Sequence, residues 1–217
     1  MKNKIKIAII DYKMSNLFSI DNALTNLGFE SIITSNNKII LEADGVILPG
    51  VGSFHKAMKN LIKLDLVNTI KESLDIGKPF MGICLGLQLL FTKSEEFEEC
   101  SGLNIVSGSV LSFKDYIKAA PIPHVGWNSL KLRSYDSNNS NFNYTFLNNE
   151  YFYFIHSYFV KPKQNDIVLS YTKYENFEFC SSISKGNLFA CQFHPEKSGV
   201  KGLTLLNNFF KGNKYEI

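Results

Sequence analysis

The sequence predicts a doubly wound α/β fold: a mixed, mainly parallel sheet flanked by helices, with an antiparallel, strand-rich second half. Three observations lead there. Short continuous apolar runs, Ile5 to Ile10 and Gly45 to Leu48 among them, are bounded by charged or turn residues, the pattern of strands buried on both faces. Between such runs, apolar residues recur at helical spacing, and alternation of strand with helix builds a parallel sheet. After about Leu103 the texture changes to short apolar and aromatic runs separated by Gly, Pro, Asn and Lys, which read as strands joined by hairpin turns. No stretch of the 217 residues resembles a linker, so a single domain over residues 1–217 is expected.

Taken in order, Ile5 to Ile10 is the first strand, and Asp11 to Asn16 forms a loop at its carboxyl edge. Leu17 to Leu27 has helical periodicity and is closed by Gly28. Phe29 to Thr34 and Gly45 to Leu48 are the next strands. Pro49-Gly50-Val51-Gly52-Ser53 then stands at a strand end, where ligands bind in such sheets, and Ser53 is positioned to cap a helix running to about Leu74. Glycines on both sides of Val51 let main-chain amides turn toward a ligand, as an oxyanion hole or an anion nest. A nucleotide-phosphate loop is the weaker reading, because neither a Gly-Lys-Ser/Thr ending nor GxGxxG is present. Lys78 to Phe91 follows as strand, sharp turn and helix; Lys93 to Glu99 reads as a solvated helix end and Asn138 to Asn149 as a solvated loop. Tyr151 to Val160, Ile167 to Tyr174 and Phe179 to Ile183 are read as strands, and Leu203 to Phe210 as a final packed helix.

Composition narrows the function classes. Hydrophobic residues make up 45% and charged residues 20%, an ordinary globular balance, and the net charge is only +3. Lysines are scattered without a stripe and Arg133 is the sole arginine, so nucleic acid is not an expected partner. The four cysteines form no CxxC pair and no zinc spacing, which suits free thiols in a reducing, cytoplasmic compartment. The amino-terminal apolar run is too short for a signal peptide and no stretch could span a bilayer, so no membrane association is expected. No metal site, organic cofactor or nucleotide motif is visible.

The chemistry concentrates in two places. Gly82-Ile83-Cys84-Leu85-Gly86 is the thiol form of the Gly-x-nucleophile-x-Gly elbow, where glycines flank a strained residue because side chains there would clash with the adjoining strand and helix. Such a turn would present Cys84 at a strand's carboxyl end, its sulfur at the positive end of a helix, which favours thiolate. A buried core cysteine is the alternative reading. A thiolate nucleophile needs a base, and the candidates are His55, His124, His156 and His194. His194 is distinctive: Pro195 biases it toward extended geometry, so Glu196 falls on the same side and can orient the ring. Cys84, His194 and Glu196 then form a nucleophile, base and orienter. Alone, His-Pro-Glu could equally be an ordinary turn.

Five stretches together resemble the class I, triad-type glutamine amidotransferases: Pro-Gly-Val-Gly at 49–52, Gly-Ile-Cys-Leu-Gly-Leu-Gln-Leu-Leu-Phe at 82–91, Pro-His-Val-Gly-Trp-Asn at 123–128, Tyr-Phe-Ile-His-Ser-Tyr at 153–158 and Gln-Phe-His-Pro-Glu-Lys-Ser at 192–198. The resemblance covers essentially the whole chain and implies the family's flavodoxin-like fold. It implies that Cys84, His194 and Glu196 hydrolyse glutamine through a thioester, with the backbone amides of Val51 and Leu85 holding the oxyanion. Gly50, Gly52, Gln88, Ser157 and Tyr158 would bind glutamine. Asn16, Pro123, His124, Trp127, Asn128, Tyr153 and Lys197 would form the docking and gating surface around an ammonia passage. The implied partner is a HisF-like cyclase/synthase subunit of histidine biosynthesis, forming a heterodimer. The family usually carries glycines where Lys13 and Ser15 stand here, a difference shared by paralogues that supply ammonia for acetamidino-sugar synthesis in surface polysaccharides, which are the alternative. An elbow-cysteine peptidase or chaperone fits less well because Leu85, not His, follows Cys84, and a binding-only subunit would not need all three triad groups.

Overall fold

The computed structural model describes residues 4–14, 17–96, 99–133 and 142–212. Its amino-terminal half alternates as expected: β1 (Lys6–Ile10), α1 (Leu17–Asn26), β2 (Glu30–Thr34), α2 (Asn37–Glu42), β3 (Gly45–Leu48), α3 (Phe54–Lys63), α4 (Leu66–Asp75), β4 (Phe80–Ile83) and α5 (Leu85–Leu89). Then come β5 (Phe91–Ser94), β6 (Cys100–Ser101), β7 (Val106–Ser112), β8 (His124–Ser129), β9 (Lys131–Leu132), β10 (Tyr151–His156), β11 (Tyr158–Pro162), β12 (Val168–Tyr174), β13 (Phe177–Lys185), β14 (Leu188–Cys191) and α6 (Gly199–Lys211).

The main sheet runs β2-β1-β3-β4-β14-β13-β11-β7-β5-β6, with β12 pairing β13 and β9 pairing β12. From β2 to β14 every pair is parallel. From β14 to β7 every pair on that path is antiparallel, the β12 and β9 pairs are antiparallel too, and β5 returns parallel to β7. Each face of the sheet carries one apolar layer. Ala8, Ile10, Val46, Leu48 and Phe80 pack with α3 and α4 on one side; Ile7, Ile9, Ile47, Met81 and Phe189 pack with α1 and α6 on the other. This is the period-two alternation of strands covered on both faces.

Several sequence expectations are corrected. The helix anticipated from Ser53 to about Leu74 is two helices, broken where Asp65 takes a left-handed backbone (φ 54°), a conformation Asp tolerates better than most residues. The helix after Cys84 stops early, and Phe91–Ser94 is a strand on β7, so Lys93 lies on a sheet and not on a solvated helix end. Residues 138–141 of the expected 138–149 loop lie outside the described residues, but Tyr144 and Leu147 beyond them are buried, Tyr144 stacking on Phe189.

Tyr151 to Val160 is not one strand. It breaks at Ser157, so that β10 pairs with β8 in a separate two-stranded ribbon while β11 enters the main sheet. Among the described residues no helix is long and apolar enough to cross a membrane.

Candidate active site

Strands β4 and β14 are parallel neighbours, with Ile83 opposite Cys191. Residues just past their carboxyl ends therefore meet although they are far apart in sequence. Cys84 follows β4 and takes φ 54°, ψ −109°, the strained turn the flanking glycines foretold. A Cβ on Gly86 would lie 1.8 Å from the Leu48 carbonyl oxygen, so the elbow closes against β3 only with glycine there. The Cys84 amide donates to the Cys191 carbonyl at 2.8 Å, tying the elbow to the neighbouring strand.

His194 lies beyond β14 in extended geometry (φ −103°, ψ 95°), as Pro195 requires, and its amide donates to Tyr153 O at 2.9 Å. Pro195–Lys197 then forms a 3-10 turn, which brings Glu196 back so that Oε1 sits 2.8 Å from His194 Nδ1, both side chains nearly wholly buried. The other ring nitrogen, Nε2, is buried without a conventional hydrogen bond. Burial by itself would lower the His194 pKa. The Cys84 sulfur and Glu196 outweigh it and push the ring up to about 10, so the imidazole is charged at neutral pH.

A cavity of about 330 Å³ opens on Cys84, lined by Val51, Gly52, Leu85, Gln88, Glu96, Pro123, Ile155, His156, Ser157 and Tyr158. Gly52, Gln88, Ser157 and Tyr158 are thus brought together as the sequence suggested. Gly50 is not on that wall; its carbonyl accepts the Leu85 N–H at 3.3 Å, and a Cβ there would meet the Tyr12 hydroxyl at 2.3 Å. Sequence reasoning missed Glu96 because it belongs to a run of acidic residues that reads as a solvated surface. Its carboxylate instead caps α3, accepting the Phe54 N–H at 2.6 Å, and burial raises its pKa although that hydrogen bond lowers it.

The two amides expected to hold an oxyanion are occupied. Val51 N donates to Met14 O at 3.3 Å and Leu85 N to Gly50 O at 3.3 Å. Lys13, one of the residues replacing a family glycine, takes a left-handed backbone (φ 68°), its amide and ammonium both donating to Asp11. Ser15 and Asn16 lie outside the described residues.

The ribbon of β8 and β10 has two unlike faces because directly opposed residues share a side. Val125, Trp127, Tyr151 and Ile155 are exposed, Trp127 meeting Tyr153 edge-on at 6.2 Å. His124 points the other way and is buried, which corrects its assignment to a docking surface. Its Nδ1 lies 3.0 Å from His156 Nε2, and His156 Nδ1 lies 2.8 Å from Tyr158 O. A carbonyl can only accept, so His156 Nδ1 carries the hydrogen and its Nε2 accepts from His124. Burial pushes His124 down to about 4 and His156 to about 3. Asn128 turns inward too, donating to Lys173 O at 2.9 Å, whereas Lys197 is exposed and Pro123 lines the cavity. Among the described residues no group of three or more His, Cys, Asp or Glu side chains converges to hold a metal ion.

Fold and site together define a mixed α/β protein with a cysteine, a histidine and a glutamate gathered past the carboxyl ends of its central strands. The chain belongs to the class-I glutamine amidotransferase family, whose model matches residues 8–213. It is 47% identical over 204 residues to the imidazole glycerol phosphate synthase subunit HisH of Bacillus cereus (strain B4264), covering 94% of this chain and 93% of that one. It is 46% identical over 206 residues to the subunit of the same name from Aquifex aeolicus (strain VF5), covering 94% and 96%. The fold is also similar to that of a chain in the structure of PurLQS from Thermotoga maritima, with a TM-score of 0.70 at 18% identity over 96% of this chain and 99% of that one.

Proposed function

We propose that this chain is the glutaminase subunit of an imidazole glycerol phosphate synthase, hydrolysing glutamine and passing ammonia to a HisF-like subunit in a heterodimer. The observation that carries the reading is the meeting of Cys84 with the His194–Glu196 pair beside a cavity sized for an amino acid. The Cys84 sulfur attacks the side-chain amide carbon of glutamine, and the C=O electrons move onto oxygen. The tetrahedral species collapses as His194 delivers a proton to the departing nitrogen, releasing ammonia and leaving a thioester. Water, deprotonated by His194, then displaces the sulfur and gives glutamate. Glu196 holds the ring's tautomer, and Glu96 is suited to the substrate's ammonium group.

Occupied oxyanion amides support a partner requirement. Freeing Val51 and Leu85 breaks two main-chain hydrogen bonds, each worth about 0.5–1.5 kcal/mol, so the isolated chain is slowed by about tenfold or more relative to an aligned state. The exposed Val125, Trp127, Tyr151 and Ile155 form an apolar face of the kind that anchors protein interfaces. The test is reconstitution of native and Cys84→Ala chains with a histidine-pathway HisF-like subunit and its ribonucleotide substrate. Glutamate release and ring product should need the native chain and its partner together. Turnover by Cys84→Ala would overturn the nucleophile, and full activity of the chain alone would overturn the partner requirement. Glutamine hydrolysis that never yields ring product would redirect the ammonia to the acetamidino-sugar alternative.

A further inference from the structure

The elbow helix is a weak source of thiolate stabilisation in this protein. Helix α5 has only five residues, too few to sum much of a dipole, and its first amide, Leu85 N, is already donated to Gly50 O. A fully buried glutamine supplies what the helix does not. Gln192 follows β14, its amide pinned to Ser181 O at 2.9 Å, and its side chain lies between two groups of the site. Its Nε2 points to Cys84 Sγ at 3.5 Å, and its Oε1 accepts from Gln88 Nε2 at 3.0 Å.

The orientation of that amide is dictated from outside. Tyr158 O is a carbonyl and only accepts; it receives Gln88 Nε2 at 3.2 Å and His156 Nδ1 at 2.8 Å. Gln88 must therefore present nitrogen, Gln192 must present oxygen to Gln88, and the nitrogen end of Gln192 is left for the sulfur. Turning Gln88 over would set its oxygen against the oxygens of Tyr158 and Gln192, and turning Gln192 over would set its nitrogen against Gln88 Nε2 and its oxygen against the sulfur. A neutral thiol is a poor acceptor for a buried N–H, whereas a thiolate is a good one, so this wiring is satisfied by the charged sulfur.

We infer that Gln192 is a catalytic residue, donating a hydrogen bond to the Cys84 thiolate in an orientation locked by Gln88 and the Tyr158 carbonyl. The inference rests on the proposed role of Cys84. Once the thioester forms, the sulfur loses its charge and the donation weakens, so the contact favours the nucleophile over the acylated enzyme.

The test is the rate at which iodoacetamide alkylates Cys84, followed by peptide mapping across pH, in the native chain, Gln192→Met and Gln88→Met. Iodoacetamide is small and neutral, so its rate reports the sulfur and not glutamine binding. Loss of one hydrogen bond to a charged group should slow Gln192→Met about tenfold near neutral pH, with the native rate regained at alkaline pH. Gln88→Met should fall between the two, because Gln192 can then turn over. In the reconstituted complex Gln192→Met should lower kcat while KM for glutamine changes little, which a merely structural role would not produce. A Gln192→Met profile superimposed on the native one overturns the inference while leaving Cys84 as nucleophile. Should Gln192→Met not fold, an unshifted Gln88→Met profile does the same. A native chain whose Cys84 stays unlabelled removes the site reading and this inference together.

Discussion

Acidification from about pH 7.5 to about 5 should weaken the fold through the buried pair of His124 and His156. Both are neutral in the folded chain because burial disfavours the imidazolium, which pushes them from an ordinary 6.5 to about 4 and about 3. In the unfolded chain each takes up a proton as pH falls through 6.5, so between there and pH 4 the unfolded state binds more protons and stability falls with pH. At about pH 5 the gap of roughly 1.5 pH units corresponds to about 2 kcal/mol per histidine, or about 4 for the pair. That is a large share of the roughly 5–15 kcal/mol that holds such a domain together. Glu96, raised by burial, works in the opposite sense, so 4 is an upper bound. His194, raised to about 10, also opposes the loss in the upper part of this window: its stabilisation is complete only below 6.5 and declines as pH rises from there toward 10. Urea titrations at the two pH values measure the loss, with the His124→Gln, His156→Gln double variant as the control. The native midpoint should drop markedly at the lower pH and that of the double variant much less. Equal midpoints for the native chain at both pH values, or an equal drop in both proteins, would refute the reasoning.

Glu196→Gln keeps an acceptor beside His194 but removes the charge that helps hold the imidazolium. Glutaminase kcat in the reconstituted complex should fall by about 10² to 10⁴ with KM nearly constant; an unchanged kcat would remove Glu196 from the relay. Glu96→Ala should raise KM for glutamine by about 10- to 100-fold, the worth of one hydrogen bond to a charged group, with kcat within a few-fold of native. Steady-state kinetics separates the two, and an unaltered KM would mean that Glu96 only caps α3.

The parts of the site legible in sequence were those whose chemistry is local. A positive φ at Cys84 demands glycines around it, and Pro195 confines His194 to extended backbone, so both left marks in adjacent residues. Neighbouring strands then brought the two together, as the alternation of elements implied. What escaped notice depends on distant partners. Glu96 differs from its acidic neighbours only because α3 presents an unpaired amide to it. The break at Ser157 is silent because aromatic alternation continues through it, while the two halves pair with different strands. Peptide direction at Val51 is set by Met14 across a loop, and no residue type encodes it. His124 was misplaced by one step of the strand alternation that exposes Val125 and Trp127.

Strand β14 comes after every other strand of the described residues, yet it lies in the middle of the sheet between β4 and β13. A nascent polypeptide halted before Leu188 would already contain the sulfur-bearing turn but would have a strand-wide gap beside it, exposing two edges with unpaired amides and carbonyls. The sulfur acquires its imidazole only once the chain has been made past His194. Closure of the sheet and the meeting of sulfur with imidazole are one event.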